Sequence, residues 1–338
     1  MKKVRIGSVG LGRLGRQHAE NIAFRIPNAE LLAVCSVKEE EVQDVQKAWG
    51  IKYTYTDFDE MLKNDELDAI FIASSSNVHC EQIEKALEAG FDVFSEKPLG
   101  VTVEEVERVH KVIVRHSDKI FMLGFMRRYD ASYAHAKELM DKGKIGKPFM
   151  VRSYGLDPDS SAKSVIPFLK TSGGLFLDMA AHDIDIARWF LGKEAKSVYA
   201  AGGCYKYPEY AKEGDIDNGV ALVKFEENMT CFLYVGRTCP HGYQVETEII
   251  GTDGTLRIAN IPEKNLVTIY DENGAVRECS QNFPERFREA FVNELQEFVN
   301  CVIERRKPGV GAFDGVQATK IAYACKEAQS SGQIITIN

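Results

Sequence analysis

Residues 3–15 read KVRIGSVGLGRLG, and the fold is decided there. Lys3–Val9 is rich in β-branched and apolar residues, which predicts a first strand. Gly10-Leu11-Gly12-Arg13-Leu14-Gly15 then matches G-x-G-x-x-G, and Leu14–Arg25 has the spacing of a helix. Strand, glycine loop and helix start in that order suit a dinucleotide. Gly10 permits the tight turn, Gly12 lets the backbone approach a pyrophosphate, and Gly15 lets the helix pack close to the sheet. The N–H groups around Arg13 and Leu14 have no partner within the helix and can receive the anion.

The same rhythm continues to Gly124. Glu30–Val37, Ala69–Ala73, Phe91–Phe94 and Ile120–Leu123 read as short strands, with helices at Glu39–Trp49, His79–Ala89 and Thr102–His116. Apolar strands alternating with helices predict a parallel sheet covered on both faces, a Rossmann domain over residues 1–124. Beyond it, helical pieces at Ser132–Lys142 and Leu175–Leu191 surround a strand near Phe149–Tyr154. Strands follow at Ser197–Tyr205, Gly219–Phe225, Thr230–Gly236, Gln244–Ile250, Thr255–Ala259 and Leu266–Tyr270, joined by hairpin-type turns. Helices return at Arg286–Arg305 and Gly315–Ser330. The pattern is α/β overall, with a second α+β domain over residues 125–338 built on an open, mostly antiparallel sheet. Too few helices accompany that sheet to cover both faces, which predicts a homo-oligomer.

Bulk properties narrow the class. The 338 residues have room for two domains, and the net charge of −8 leaves no basic stripe for nucleic acid. No apolar run approaches a membrane span. The N-terminus reads as strand and turn, not as a signal peptide. Eight cysteines without a C-x-x-C pair predict scattered thiols of a reducing cytoplasm, and the dispersed histidines offer no metal-ligand spacing.

Strand ends supply the candidate site. A ribose-binding acid is expected at the tip of the second strand, where this chain has Ser36 with Lys38 close by. Serine cannot repel a 2′-phosphate and lysine can attract one, so NAD and NADP are both open, with Glu39 and Glu40 opposing the second. Ser74, Ser75, Asn77 and His79 follow the Ala69–Ala73 strand, where they can line the nicotinamide side. Asn77 can equally cap the next helix. Ser95-Glu96-Lys97-Pro98 follows another strand, and Pro98 stiffens the turn so that Lys97 projects from a strand's carboxyl end.

Residues 173–189, GGLFLDMAAHDIDIARW, complete the set. On a continuous helix Asp178, His182 and Asp185 share one face. A histidine between two carboxylates is costly to bury unless paired or used, although a solvated acidic face is the plainer alternative.

The glycine loop, Glu96-Lys97-Pro98, Gly124-Phe125-Met126-Arg127-Arg128-Tyr129, and Gly173-Gly174 before Asp178-x-x-x-His182 occur in order. This order resembles the Gfo/Idh/MocA family of nicotinamide-dependent oxidoreductases over essentially the whole chain. Within it, the stretches at Phe125–Asp130 and His182–Asp185 look most like myo-inositol 2-dehydrogenases. The resemblance implies a tetramer, or else a dimer, and a catalytic group of Lys97, Asp178 and His182. His182 suits the base of an alcohol oxidation, Asp178 can bind a substrate hydroxyl or orient the imidazole, and Lys97 can polarise the oxygen. By matching positions, Glu96, Lys97 and Arg127 adjoin the cofactor, while Lys97, Arg127, Asp157, Asp178, His182, Asp185, His241 and Tyr243 adjoin the substrate. Asp157 and His241 depart from the residues usual there. The implied substrate is an uncharged cyclic polyol or sugar, myo-inositol oxidised to 2-keto-myo-inositol in the sharpest form. The alternatives are another inositol isomer or an aldose, and a non-catalytic sensor of NAD(P) and sugar.

Overall fold

In a computed structural model, residues 3–259, 263–272 and 274–337 are described. The chain forms two compact units, Met1–Met126 with Phe291–Thr319, and Arg127–Ala290 with Lys320–Asn338.

The first unit contains β1 (Val4–Val9), α1 (Arg13–Phe24), β2 (Ala29–Cys35), α2 (Glu39–Trp49), β3 (Tyr53–Tyr55), α3 (Phe58–Met61), β4 (Ala69–Ile72), α4 (His79–Glu88), β5 (Asp92–Glu96), α5 (Val103–Arg115) and β6 (Phe121–Gly124). Its strands are parallel in the order β3-β2-β1-β4-β5-β6, which places the topological switch between β1 and β4. Ile70, Phe71, Ile72, Val93 and Phe94 are fully buried, as expected for strands covered on both faces. The half-buried edge strand β3 (Tyr-Thr-Tyr) has no apolar run to announce it.

The second unit contains α6 (Ala131–Asp141), β7 (Pro148–Pro158), α7 (Ala162–Val165), α8 (Leu169–Ser172), α9 (Leu175–Asp178), α10 (Ala181–Leu191), β8 (Ala195–Gly203), α11 (Pro208–Lys212), β9 (Asn218–Phe225), β10 (Thr230–Cys239), β11 (Gln244–Gly251), β12 (Thr255–Ile258), β13 (Glu263–Asp271) and β14 (Gly274–Cys279). The chain ends with α12 (Phe283–Glu304), α13 (Ala312–Ser331) and β15 (Ile335–Thr336). The main sheet runs β12-β11-β7-β10-β9-β8-β15, and every neighbouring pair is antiparallel except β7 with β10. It is therefore mixed, with the antiparallel majority the sequence predicts.

Residues 291–319 pack with the first unit, although they follow the second in sequence. The reasons are long-range contacts. Phe291 meets His18 edge-on, Phe298 meets Phe94, and Arg305 donates to Asp92 at 2.5 Å. A Cβ on Gly315 would stand 2.8 Å from that of Leu99, so only glycine lets α13 approach there.

One sheet face in the second unit is core: Val151, Ala221, Val223, Cys231 and Leu233 are buried, and α10 packs on β7. The opposite face carries Tyr154, Phe232 and Tyr234 in edge-on contact, with Tyr199 and Leu222 about half exposed at 48% and 51%.

The helix expected over Leu175–Leu191 is interrupted at Met179–Ala180. Methionine and alanine are good helix formers, so local propensity does not account for the break. Asp215 accepts from the Leu175 N–H at 2.9 Å and Arg237 draws in Asp178. Asp178 thus closes α9, while His182 and Asp185 lie on α10. The single-face reading of the three is corrected accordingly.

Candidate active site

The candidate residues fall in two clusters, one in each unit. In the first, the three glycines of the loop differ in what surrounds them. A Cβ on Gly10, where φ is +92°, would lie 2.4 Å from the Ala73 carbonyl oxygen, and one on Gly15 would lie 2.1 Å from that of Gly10. Both positions are closed by the protein's own backbone. A Cβ on Gly12 would meet no atom within 4 Å. Gly12 is the N-cap of α1 and has no side-chain cap, Arg13 is exposed, and Leu14 is half-buried. Open space beside uncapped N–H groups fits a pyrophosphate. Bound nicotinamide would supply the hydride acceptor of an oxidation.

At the end of β2, Ser36 is buried and its hydroxyl donates to Glu41 at 2.6 Å, while Lys38 donates to the same carboxylate at 3.0 Å. Past β4, Ser75 and Asn77 are exposed, and Ser74 donates to Gln82 at 2.5 Å. Neither Ser75 nor Asn77 makes a side-chain cap to the following helices. His79, expected to adjoin the cofactor, is 1% exposed. Its Nδ1 lies 2.8 Å from the Pro98 carbonyl oxygen and its Nε2 lies 3.1 Å from that of Ser74. Burial pushes its pKa down against those two carbonyls. A ring so enclosed ties the Ser74 turn to the Lys97–Pro98 turn.

Glu96 ends β5, accepts from the Lys97 N–H at 3.1 Å, and lies 2.7 Å from His18 Nε2. No ligand spacing in the sequence links these residues. Nevertheless, ligand atoms of His18, Glu96 and Glu294 lie within 4.8 Å of one another. Glu294 is fully buried, and among the described residues neither carboxylate oxygen has a hydrogen-bond partner. Burial, with Glu96 adding to it, pushes its pKa well above the usual carboxyl value. The folded state therefore holds this proton more tightly than the unfolded chain. Its stabilising effect is complete below the ordinary glutamate pKa and is lost as pH rises through the raised folded value. Glu294→Gln keeps the shape without the titration. At alkaline pH the variant is expected to be more stable than the parent by about 1–3 kcal/mol, with the gap closing toward pH 4. Thermal midpoints across that range check it, and a parallel pH dependence in both proteins would refute it.

In the second unit, Asp178 accepts from Arg237 at 2.6 Å, and Asp157 on β7 lies 3.5 Å from the other terminal nitrogen of the same guanidinium. Arg237 is 1% exposed, whereas the two carboxylate side chains remain 31% and 26% exposed. A buried cation thus presents two acceptors at a partly open surface. His182 is buried in the first turn of α10, four residues beyond Asp178.

Other expected contacts are committed to the protein itself. Arg127 is 3% exposed and donates to Asp183 at 2.6 Å, and Asp183 also accepts from Ser153. Asp185 is 1% exposed and forms a two-point pair with Arg128. Both are buried, hydrogen-bonded ion pairs, in which loss of one partner is costly. His241 is exposed in the turn before β11, 3.0 Å from Gln244. Tyr243 is buried edge-on to Phe287, and burial pushes its phenol pKa up.

Residues 4–125 match the oxidoreductase family with an NAD-binding Rossmann fold, and residues 133–257 match the GFO/IDH/MocA C-terminal domain. A scyllo-inositol 2-dehydrogenase (NAD(+)) of Bacillus subtilis (strain 168) is 33% identical, over 99% of this chain and 97% of that one. The chain belongs to the GFO/IDH/MocA oxidoreductase family. Two family structures overlay throughout. The scyllo-inositol dehydrogenase from Lactobacillus casei, solved with NAD(H) and scyllo-inositol, is 49% identical, covers 99% of both chains and has a TM-score of 0.96. The myo-inositol 2-dehydrogenase from Lactobacillus plantarum is 40% identical, covers 100% of both chains and has a TM-score of 0.97.

Sequence reasoning overlooked Arg237, Glu41 and Glu294. Arg237 left one trace, a lone cation after the apolar strand run Cys231–Gly236. Glu41 and Glu294 left none, since each sits among other acids on a helix. Among the described residues, no helix is long and apolar enough to cross a membrane.

Proposed function

We propose that this chain oxidises one secondary hydroxyl of an inositol, with NAD(P) as the partner of the reaction. The observation that carries the reading is the pair Asp157 and Asp178, set on the buried Arg237 and partly open to solvent. Two carboxylates held from behind by one guanidinium can accept hydroxyl hydrogen bonds from an uncharged ring. His182 takes the proton from the reacting hydroxyl. Lys97 donates to that oxygen and stabilises the negative charge that develops on it. Glu96 holds the Lys97 backbone, and His79 anchors the same turn.

The myo-inositol expectation stands beside a second reading, scyllo-inositol, favoured by 49% identity to a scyllo-inositol enzyme against 40% to a myo-inositol enzyme. Oxidation of myo-inositol at carbon 2 and of scyllo-inositol at any carbon yields the same ketone, so one pocket can serve both. A matrix of myo-inositol, scyllo-inositol and aldoses against NAD and NADP, followed at the reduced-nicotinamide absorbance, tests the proposal. Turnover of an inositol above every aldose supports it. Tight dinucleotide binding with no turnover of any polyol would favour a sensor instead.

The exposed aromatic face of the main sheet supports a homo-oligomer, a tetramer by family resemblance or else a dimer. Leu222→Lys is expected to shift the mass in light scattering toward the monomer, and a parent already monomeric at micromolar concentration would exclude assembly. None of the eight cysteines forms a disulfide, which fits a reducing cytoplasm.

A further inference from the structure

We propose that Ser36 and Glu41 together select NAD over NADP in this chain. The inference rests on the dinucleotide-binding assignment alone, not on the identity of the polyol. The tip of β2 is where an acid ordinarily meets the adenosine ribose, and this chain has serine there. By sequence alone that serine leaves a 2′-phosphate unopposed, with Lys38 available to attract it.

The fold supplies the missing acid from the first turn of α2. The Ser36 backbone is fixed by its N–H bond to the Tyr55 carbonyl at 3.1 Å. Its hydroxyl donates to Glu41 Oε2 at 2.6 Å, and since a carboxylate only accepts, the serine proton is committed there. A phosphate needs donors, and Ser36 has no proton left to offer one. Lys38 Nζ donates to Glu41 Oε1 at 3.0 Å, so its charge is balanced before any ligand arrives. Lys38 is 70% exposed and can swing away, but doing so leaves Glu41 unbalanced beside the incoming phosphate. The Ser36 hydrogen bond, with help from Lys38 and the more distant Arg16, holds the Glu41 carboxyl below its usual pKa. Arg16 itself lies over the Trp49 ring at 5.6 Å. Glu39 and Glu40 occupy the same first turn and add negative charge.

A 2′-phosphate, carrying nearly two negative charges, would therefore meet a committed serine and an ionised carboxylate, whereas a 2′-hydroxyl meets an acceptor. Titration of NADH and NADPH into the protein without polyol, read by nicotinamide fluorescence, tests this. NADH is expected to bind at least about thirtyfold more tightly, and Glu41→Gln to narrow the ratio by about tenfold, chiefly by improving NADPH. Glu40→Gln, an equal charge change at an exposed neighbour, is expected to alter the ratio by less than about threefold. A parent that prefers NADPH, or a ratio unmoved by Glu41→Gln in a variant with native circular dichroism, overturns the proposal. Failure of both dinucleotides to bind the parent would overturn the assignment beneath it as well.

Discussion

Lys97→Ala is expected to lower kcat/KM for inositol oxidation by ~10²–10³, the usual loss when a donor to a developing oxyanion is removed. NADH affinity should stay within about threefold, because the glycine loop that would hold the pyrophosphate lies elsewhere on the sheet. The fold should survive. Glu96 is bonded to the Lys97 backbone N–H, and His79 is bonded to the Pro98 carbonyl, so truncating the side chain leaves the turn anchored. The loss should fall mainly on kcat, since the interaction strengthens as charge develops on the oxygen. Near-parental turnover would remove Lys97 from the mechanism. A loss confined to KM would make it a ground-state binding residue instead.

Arg237→Leu has the second largest expected effect, and it acts on stability and catalysis together. The parent guanidinium is buried and is the positive partner of Asp178 at 2.6 Å and of Asp157 at 3.5 Å. Its removal takes the buried positive charge away from both carboxylates. Breaking a buried pair costs about 3–5 kcal/mol, and the partial exposure of both acids places the expected loss near 3. The acid pair should then take up a proton more readily, moving the acid limb of the kcat/KM profile to higher pH. Arg237→Lys restores the charge without the two-pronged geometry and should recover stability more fully than activity. A thermal midpoint and a pH profile unchanged in Arg237→Leu would show that the acids do not depend on this residue. A lowered midpoint with an unmoved profile would assign it to folding alone.

The two substitutions probe parts of the chain that differed in legibility. Lys97 is announced by its neighbours: an apolar strand before it and a proline after it confine it to a strand end. Arg237 has no such frame, being one cation near the end of a strand, and Asp178 lies 59 residues away. Asp185, expected to grip substrate, is held by a partner that is equally invisible in the sequence. Helical spacing placed it beside His182 on one face, but it could not show that Arg128, 57 residues earlier, binds both of its oxygens. Asp178 illustrates the same limit from the other side. Local propensity favours one continuous helix through Met179 and Ala180, yet α9 closes at Asp178 and α10 begins at Ala181.

Sequence by itself determined the features whose physics is short-ranged. The Gly10–Gly15 loop is read from backbone sterics, the parallel sheet from apolar runs separated by helical spacing, and the second sheet from hairpin turns. Each rests on residues a few positions apart, where spacing is information. The tertiary structure alone decided which charges meet: Arg237 with Asp157 and Asp178, Glu41 with Ser36 and Lys38, and Glu294 with Glu96 and His18. It also decided that residues 291–319 complete the first unit. Electrostatic pairing and burial depend on distance in space, and most of these partners are brought together only when the chain has folded.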